Sequence, residues 1–363
     1  MLLRVSLAQC KVNKPMRIII CTAQVPFVRG GAELLVEGLR DALRARGHTV
    51  DIVSLPYRWQ PHQHLLDSIL SWRMIDLNEV DGIPVDLVIA TKFPSYYVIH
   101  KRKIVWLVHQ HRQAYDWYGG VYSDFVNTQE DRDIRDALIQ ADTAALGEAQ
   151  GLYAISANVA QRTRRYNFVH CTPLYPPSAY TNQLHHASYG DFILSDARLD
   201  AAKRIDLLIH AISQMTVPFR FVLTSTGPER GNLEALIAQY GLQDRVTLRG
   251  YVTTDELMEL YAHARAVYYA PFDEDYGFTT VQAMRAHKAV ITSTDAGGTL
   301  EFVRDSHNGL ICEPTAERIA VALDRLASDP AEAARLGGNG PATVTDITWE
   351  HVCTTLLGAI EKG

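Results

Sequence analysis

"MRIIICTAQVPFVRGGAELLVEGLRDALRARGHTVDIVSL", Met16 to Leu55, decides the fold. It opens with a continuously apolar run, the pattern of a strand buried on both faces. A loop, "QVPFVRGGAE", then leads into a helix whose apolar residues recur at Leu35, Leu39 and Leu43, and Gly47 ends it. "HTVDIVSL" supplies a second strand. Strand, loop, helix and strand in this order form a β-loop-α-β unit, which commits the two strands to parallel pairing.

The same grammar continues outward. "VDLVIAT" and "KIVWLVHQ" read as further buried strands, "RDIRDALIQADTAALGEAQ" as a helix and "GLYAIS" as a strand. "TPLYPPSAYTNQLHHASYGD" interrupts the pattern with paired prolines and small polar residues, as a linker does. Beyond it, "FILSDA", "FRFVLTST", "RVTLRGY", "AVYYAP" and "AVITST" alternate with helical stretches, one of them capped by Thr253 or Thr254. The expectation is an α/β protein of two doubly wound, Rossmann-like domains facing each other across a cleft. The first spans residues 16–188 and the second 189–340, with a C-terminal segment over 341–363 and an N-terminal extension over 1–15. Ligands of open parallel sheets bind at the carboxyl ends of the strands, so the chemistry is expected in the cleft.

Composition narrows the function. With 363 residues, 47% hydrophobic and 21% charged, the chain can bury two cores. No apolar run approaches the roughly 20 residues of a membrane span, and residues 1–15 lack a signal-peptide pattern. Five scattered cysteines, at 10, 21, 171, 312 and 353, argue against a disulfide framework or a zinc site and for a reducing, cytoplasmic setting. A net charge of -6 argues against a nucleic-acid partner. Lys and Arg number 20 against 17 Asp and Glu before residue 189, and 15 against 24 after it. A slightly basic first half, with Arg162, Arg164 and Arg165 close together, leaves room for peripheral contact with an anionic membrane; a solvated helix end is the plainer reading.

Unusual residues collect where strands end. Gly30 and Gly31 permit close backbone approach to an anion ahead of a helix, or merely form a tight turn. Arg198 and Lys203, in "ARLDAAKRID", flank a strand-to-helix loop and together suit a pyrophosphate, although a solvated basic loop has the same composition. In "PFDEDYGFTTVQAM", a helix is expected to start near Thr279 or Thr280, with the N–H groups of Phe278 and its successors facing the cleft. Glu274 precedes that site and Gln282 lies in the first helical turn. "AGGTLE", Ala296 to Glu301, is a fourth small-residue loop. His109 ends a buried strand; with His111 it makes only a poor metal pair, and Asp273, Glu274 and Asp275 read as a solvated run, so no metal and no cofactor are expected.

Taken in order, "GGAE", "ARLDAAKRIDLLIHA", "TGPERGNLEALIAQYGLQDRVTLRGYVTTDELMELYAHA", "PFDEDYGFTTVQAM" and "DAGGTLEFVRDSHNGL" resemble the retaining nucleotide-sugar glycosyltransferases of family 4, which have the GT-B fold. The resemblance runs from Met16 to the last helix. It implies transfer of a sugar from a UDP- or GDP-linked donor to an acceptor hydroxyl by a metal-independent front-face mechanism. Glu274 would hold hydroxyls of the transferred sugar beside His109, and Arg198 and Lys203 would hold the pyrophosphate. Gly30 and Gly31 would close over the phosphates, Tyr251 would lie near the base, and Gly277, Phe278 and Thr279 would meet the donor. The family's second motif glutamate is replaced here by Gln282, which alters the expected ribose contacts. The last helix would cross back to the first domain. The acceptor, whether carbohydrate, lipid or small metabolite, has no readable motif; the aromatic stretch "HRQAYDWYGGVYSDF" either stacks on a sugar or simply packs. The competing readings are a non-catalytic sugar-nucleotide-binding protein and a nucleotide-sugar epimerase of similar architecture.

Overall fold

A computed structural model describes residues 14–360, so the extension read over residues 1–15 lies outside the described residues except for Lys14 and Pro15. In the first domain the chain forms β1 (Arg17–Gln24), α1 (Gly31–Ala45), β2 (Thr49–Pro56), α2 (Gln63–Arg73), a small hairpin β3 (Glu79–Val80) and β4 (Ile83–Pro84), β5 (Leu87–Ala90), β6 (Lys103–Leu107), α3 (Gln129–Gly147), β7 (Gly151–Ala154), α4 (Ala157–Asn167) and β8 (Thr172–Pro173). The second domain contains β9 (Phe192–Ser195), α5 (Ile205–Gln214), β10 (Arg220–Thr224), α6 (Arg230–Gln239), β11 (Val246–Gly250), α7 (Thr254–His263), β12 (Ala266–Tyr268), α8 (Phe278–Arg285), β13 (Ala289–Ser293), β14 (Gly309–Cys312), α9 (Ala316–Ser328), α10 (Pro330–Gly338) and α11 (Gly340–Val344). The chain then closes with α12 (Trp349–Gly358).

Both six-stranded sheets are parallel throughout. Their orders are β2-β1-β5-β6-β7-β8 and β11-β10-β9-β12-β13-β14. The expected doubly wound, Rossmann-like pair is therefore present. Each order reverses once, between β1 and β5 in the first sheet and between β9 and β12 in the second. A crevice opens at such a reversal because the helices leaving the two central strands depart to opposite faces. The loops after β1, β9 and β12 carry Gly30, Arg198, Lys203 and Glu274.

Helix α1 shows how the sequence positions that crevice. Glu33 accepts from the Gly30 N–H at 2.9 Å, so its side chain reaches back to the N-cap backbone, while Leu35, Val36, Leu39 and Leu43 point into the core. Burying each leucine contributes about 1.5–3 kcal/mol. Also on α1, Gly38 makes room for Trp349 of α12; a Cβ there would lie 2.4 Å from the indole. Trp349 also meets Trp106 edge-on at 6.3 Å, and Arg46 pairs with Glu350, so α12 lies on the first domain.

Two sequence expectations shift at helix ends. Helix α3 begins at Gln129, ahead of "RDIRD", because Thr128 and Asp131 form a capping box. Helix α8 begins at Phe278, with Gly277 rather than Thr279 or Thr280 as its cap. Gly277 has φ +86, a left-handed conformation in which side-chain-bearing residues are strained. The start of the linker stretch is also recruited, since Thr172 and Pro173 pair with β7 as an edge strand. Further on, fully buried Lys288 fastens the linker to the second domain by donating to the carbonyls of Ser188 and Ala262 and to His186.

Candidate functional site

The acidic loop after β12 is not solvated. Asp273 accepts from Arg112 at 2.8 Å and from Asn158 at 2.8 Å, Glu274 pairs with Lys203 and accepts from Tyr269 at 2.8 Å, and Asp275 pairs with Arg162 at 2.6 Å. Three adjacent carboxylates thus face three different cations, two of which belong to the first domain. Arg162 is buried, with a second partner in Asp116 at 3.0 Å, so it is not available to lipid head groups; Arg164 and Arg165 are exposed. Burial resists ionisation of Asp275, but Arg112, Arg162 and His109 outweigh it and hold the carboxyl down at about 2. Burial likewise resists ionisation of Glu274, and Lys203 overcomes it.

"AGGTLE" turns out to be the floor of this loop. Glu274 bridges to Gly297, and the Gly298 N–H donates to the Glu274 carbonyl at 2.7 Å. A Cβ on Gly297 or Gly298 would fall within 2.6 Å of the backbone of Glu274 or Asp275. Glu301 reaches across to the first domain, accepting from the N–H groups of Ala157 and Asn158 at 2.9 and 2.8 Å and capping α4. Its position in a strand-end loop serves the domain junction, not the cleft.

Two cavities meet in the cleft. The first, of about 420 Å³, is lined by Tyr251, Phe278, Thr279 and Gln282 from the second domain and by Phe27 and Leu34 from the first. The second, of about 510 Å³, is lined by His109, Lys203 and Glu274, with Tyr57, Trp59 and Trp117 on the first-domain wall. Gly30, Gly31 and Arg198 line both. All the sequence-derived candidates therefore gather around one junction except Gly277, which shapes it from behind as the cap of α8. Gly31 is a point of close domain contact, since a Cβ there would lie 2.9 Å from the Phe278 ring. Arg198 is half-exposed and among the described residues has only a 3.9 Å neighbour, Asp200, so its guanidinium is open to an anion at the junction.

Gln282 is buried, with 6% exposure, and both ends of its amide are engaged. Oε1 accepts from Tyr261 at 3.0 Å and Nε2 donates to Ser178 at 3.0 Å. It is neither the exposed helix residue nor a side chain free to grip a ribose. The Tyr261 hydroxyl also lies 3.3 Å from Asp196, whose carboxyl burial pushes up against the bonds from Thr224 and Tyr261. An amide at 282 keeps a second negative charge away from Asp196.

His109 donates from Nδ1 to the Gln110 carbonyl at 2.8 Å, which leaves Nε2 as an acceptor. Burial lowers its pKa, against the pull of Asp275, so the ring is neutral at neutral pH. His111 does not converge with it on a metal; its Nδ1 faces the Tyr57 hydroxyl at 2.6 Å. Among the described residues no cluster of three His, Cys, Asp or Glu side chains is placed to hold a metal.

Sequence reasoning missed Phe27, Tyr180, Asp196 and the loop Ser225-Thr226-Gly227 as lining residues. The signal for the loop was present: "TSTGPE" follows an apolar strand just as "ARLD" does. Gly227 is obligatory there, since a Cβ would lie 2.1 Å from the Leu199 carbonyl. Phe27 had no signal: it is an apolar loop residue that is itself wholly exposed and left-handed, with φ 66.

Two facing parallel-sheet domains, a cleft built at both reversal points and a helix returning from the second domain to the first define the GT-B architecture. Among solved structures, sucrose-phosphate synthase from Thermosynechococcus elongatus shares it with a TM-score of 0.76 and 22% identity over 96% of this chain and 98% of that one. Anabaena HepE, solved in complex with UDP and glucose, matches with a TM-score of 0.70 and 16% identity over 96% and 100% of the two chains. Residues 180–343, most of the second domain of this GT-B protein, match the family described as "Glycosyl transferases group 1". An uncharacterized glycosyltransferase of Methanocaldococcus jannaschii is 25% identical over 84% of this chain and 87% of its own length. The alpha-1,3/1,6-mannosyltransferase of Dictyostelium discoideum is 32% identical, but over only 30% of this chain and 26% of its own length.

Proposed function

We propose that the protein transfers a sugar from a nucleoside diphosphate, UDP- or GDP-linked, to an acceptor hydroxyl with retention of anomeric configuration. The observation that carries this reading is the junction. Arg198 and the Gly30-Gly31 turn line both cavities, so a diphosphate bound there puts its nucleoside in one cavity and its sugar in the other. That HepE, of the same fold, is a complex with UDP and glucose supports the division.

In this reading negative charge grows on the departing diphosphate. Arg198 and the N–H groups at the start of α8 stabilise it, and Lys203 exchanges part of its contact with Glu274 for a phosphate oxygen. Glu274, freed on one side and still oriented by Tyr269, accepts hydrogen bonds from sugar hydroxyls. His109 offers Nε2 to another hydroxyl as a neutral acceptor. Asp275, clamped by two guanidinium groups and ionised down to about pH 2, is a poor nucleophile. That favours a front-face path in which the leaving phosphate oxygen takes the acceptor's proton, over a covalent glycosyl carboxylate. No step requires a metal.

The test is to incubate the chain with a panel of UDP- and GDP-sugars and follow release of the nucleoside diphosphate. One or more donors should be turned over, and Arg198→Ala should slow release about 10²- to 10³-fold, the scale for losing one charge-stabilising donor. No binding and no release across the panel would refute the reading.

A further inference from the structure

Of the side chains that line the first cavity, Asp196 alone carries a carboxylate, and it is half-buried there rather than sealed in the core. Asp196 follows β9, and its Oδ1 accepts from the Thr224 hydroxyl at 2.8 Å. Oδ2 is less well provided. Its neighbour is the Tyr261 hydroxyl at 3.3 Å, but that group has a single proton to give and a nearer acceptor in Gln282 Oε1 at 3.0 Å. Among the described residues no cation offsets the burial of Asp196, only these two hydroxyls. A carboxylate has room for about four hydrogen bonds, so one with a single firm donor is short of partners at its open side.

The sheet indicates which donors it meets. The order β11-β10-β9 sets three strand-end loops side by side along the cavity: Asp196 and Arg198 after β9, Ser225 and Thr226 after β10, and Tyr251 after β11. Adjacent strands lie about 4.8 Å apart, so the end of β11 stands about 10 Å from that of β9. A diphosphate at Arg198 and a base toward Tyr251 leave the ribose between them, beside Asp196. The other polar groups there are engaged: Gln282 bonds at both ends of its amide, and Arg29 pairs with Glu37 at 2.6 Å. A cationic ligand would also suit a lone carboxylate, but the open Arg198, two residues on, repels it. Neighbouring hydroxyls carry no charge and offer two O–H donors to two carboxylate oxygens.

We infer that Asp196 is a specificity-determining residue that accepts the 2′- and 3′-hydroxyls of the donor's ribose, so that the site selects a ribonucleotide by its diol. This deepens the donor reading proposed above and rests on it for the diphosphate at Arg198. Gln282 takes no part in the contact; it holds Tyr261 behind Asp196.

The test is titration calorimetry on the full chain with UDP or GDP, whichever binds more tightly, and with its 2′,3′-dideoxy analogue. Wild type should bind the dideoxy nucleotide at least about tenfold more weakly, the scale for a hydroxyl bonded to a charged group. Asp196→Asn, which keeps the shape and an acceptor for Thr224, should cut that ratio by about threefold or more and leave the affinity for the dideoxy nucleotide as in wild type. A loss of packing would weaken both nucleotides alike, so the ratio separates recognition from structure. If Asp196→Asn does not fold, Asp196→Ser decides in its place. A wild-type ratio below about threefold, or a ratio that the variant leaves unchanged, would overturn the inference while the bound nucleotide kept the transferase reading intact. Binding of neither UDP nor GDP would sink the transferase reading, and the inference with it.

Discussion

Replacing Gln282 with glutamate tests the local electrostatics of the cleft quantitatively. The Tyr261 hydroxyl lies between Gln282 and Asp196, 3.0 Å from Oε1 of the one and 3.3 Å from the carboxyl of the other. A carboxylate at 282 would thus lie no more than about 6 Å from that of Asp196. At an effective dielectric of about 20 the repulsion is about 3 kcal/mol, falling below about 1 in a fully hydrated cleft. Three kcal/mol corresponds to about two pKa units. One of the two carboxyls would then keep its proton to a higher pH in the folded state than in the unfolded one. The sign follows: the folded state binds more protons, so stability is fully present at low pH and is lost as the pH rises through the raised folded value. Gln282→Glu should match the wild type in thermal unfolding near pH 4.5 and fall below it by about 1–3 kcal/mol at pH 7.5. Adding Asp196→Asn should remove most of the difference. Equal unfolding of Gln282→Glu and wild type at both pH values would refute the reasoning.

Other consequences are independent of this one. Asp275, ionised down to about 2 against the usual 3.8, contributes stability present above pH 4 and lost between about pH 4 and 2, worth about 2 kcal/mol. Asp275→Asn should be less stable than wild type at neutral pH, because two buried guanidinium groups lose their partner, and should show a flatter acid-unfolding profile; an unaltered profile counts against the ion network. Gly38→Ala should lower stability by about 1–3 kcal/mol through its clash with Trp349, measured by denaturant unfolding, and Trp349→Leu in the same chain should restore part of it. Glu301→Ala leaves the Ser156 cap of α4 but removes the acceptor of the Ala157 and Asn158 N–H groups, and should cost about 1–2 kcal/mol in the same measurement; a neutral result would remove Glu301 from the domain junction.

The elements that were legible in the sequence are those with local causes. Helix α1 declares itself through the spacing of Leu35, Leu39 and Leu43, and β5 and β6 through unbroken apolar runs, because periodicity and burial on both faces are written in neighbouring residues. The strand-end loops were legible for the same reason, as their small and charged residues interrupt those runs. What the acidic loop does was not. Arg112 reaches Asp273 across 161 residues and Arg162 reaches Asp275 across 113, and nothing local distinguishes them from solvated arginines. Gln282 was visible as a departure from a motif, yet its reason lies in Tyr261 and Asp196, which only the fold brings beside it.

The central claim is that the diphosphate of a nucleotide donor lies where the two cavities meet. A crystal structure with bound UDP, or with GDP if that nucleotide binds more tightly, tests it most directly. The account predicts the terminal phosphate within hydrogen-bond distance of Arg198 and the Phe278 N–H, with the base in the cavity lined by Tyr251. A nucleotide whose base occupies the aromatic cavity beside His111, or whose phosphates leave Arg198 untouched, would contradict it.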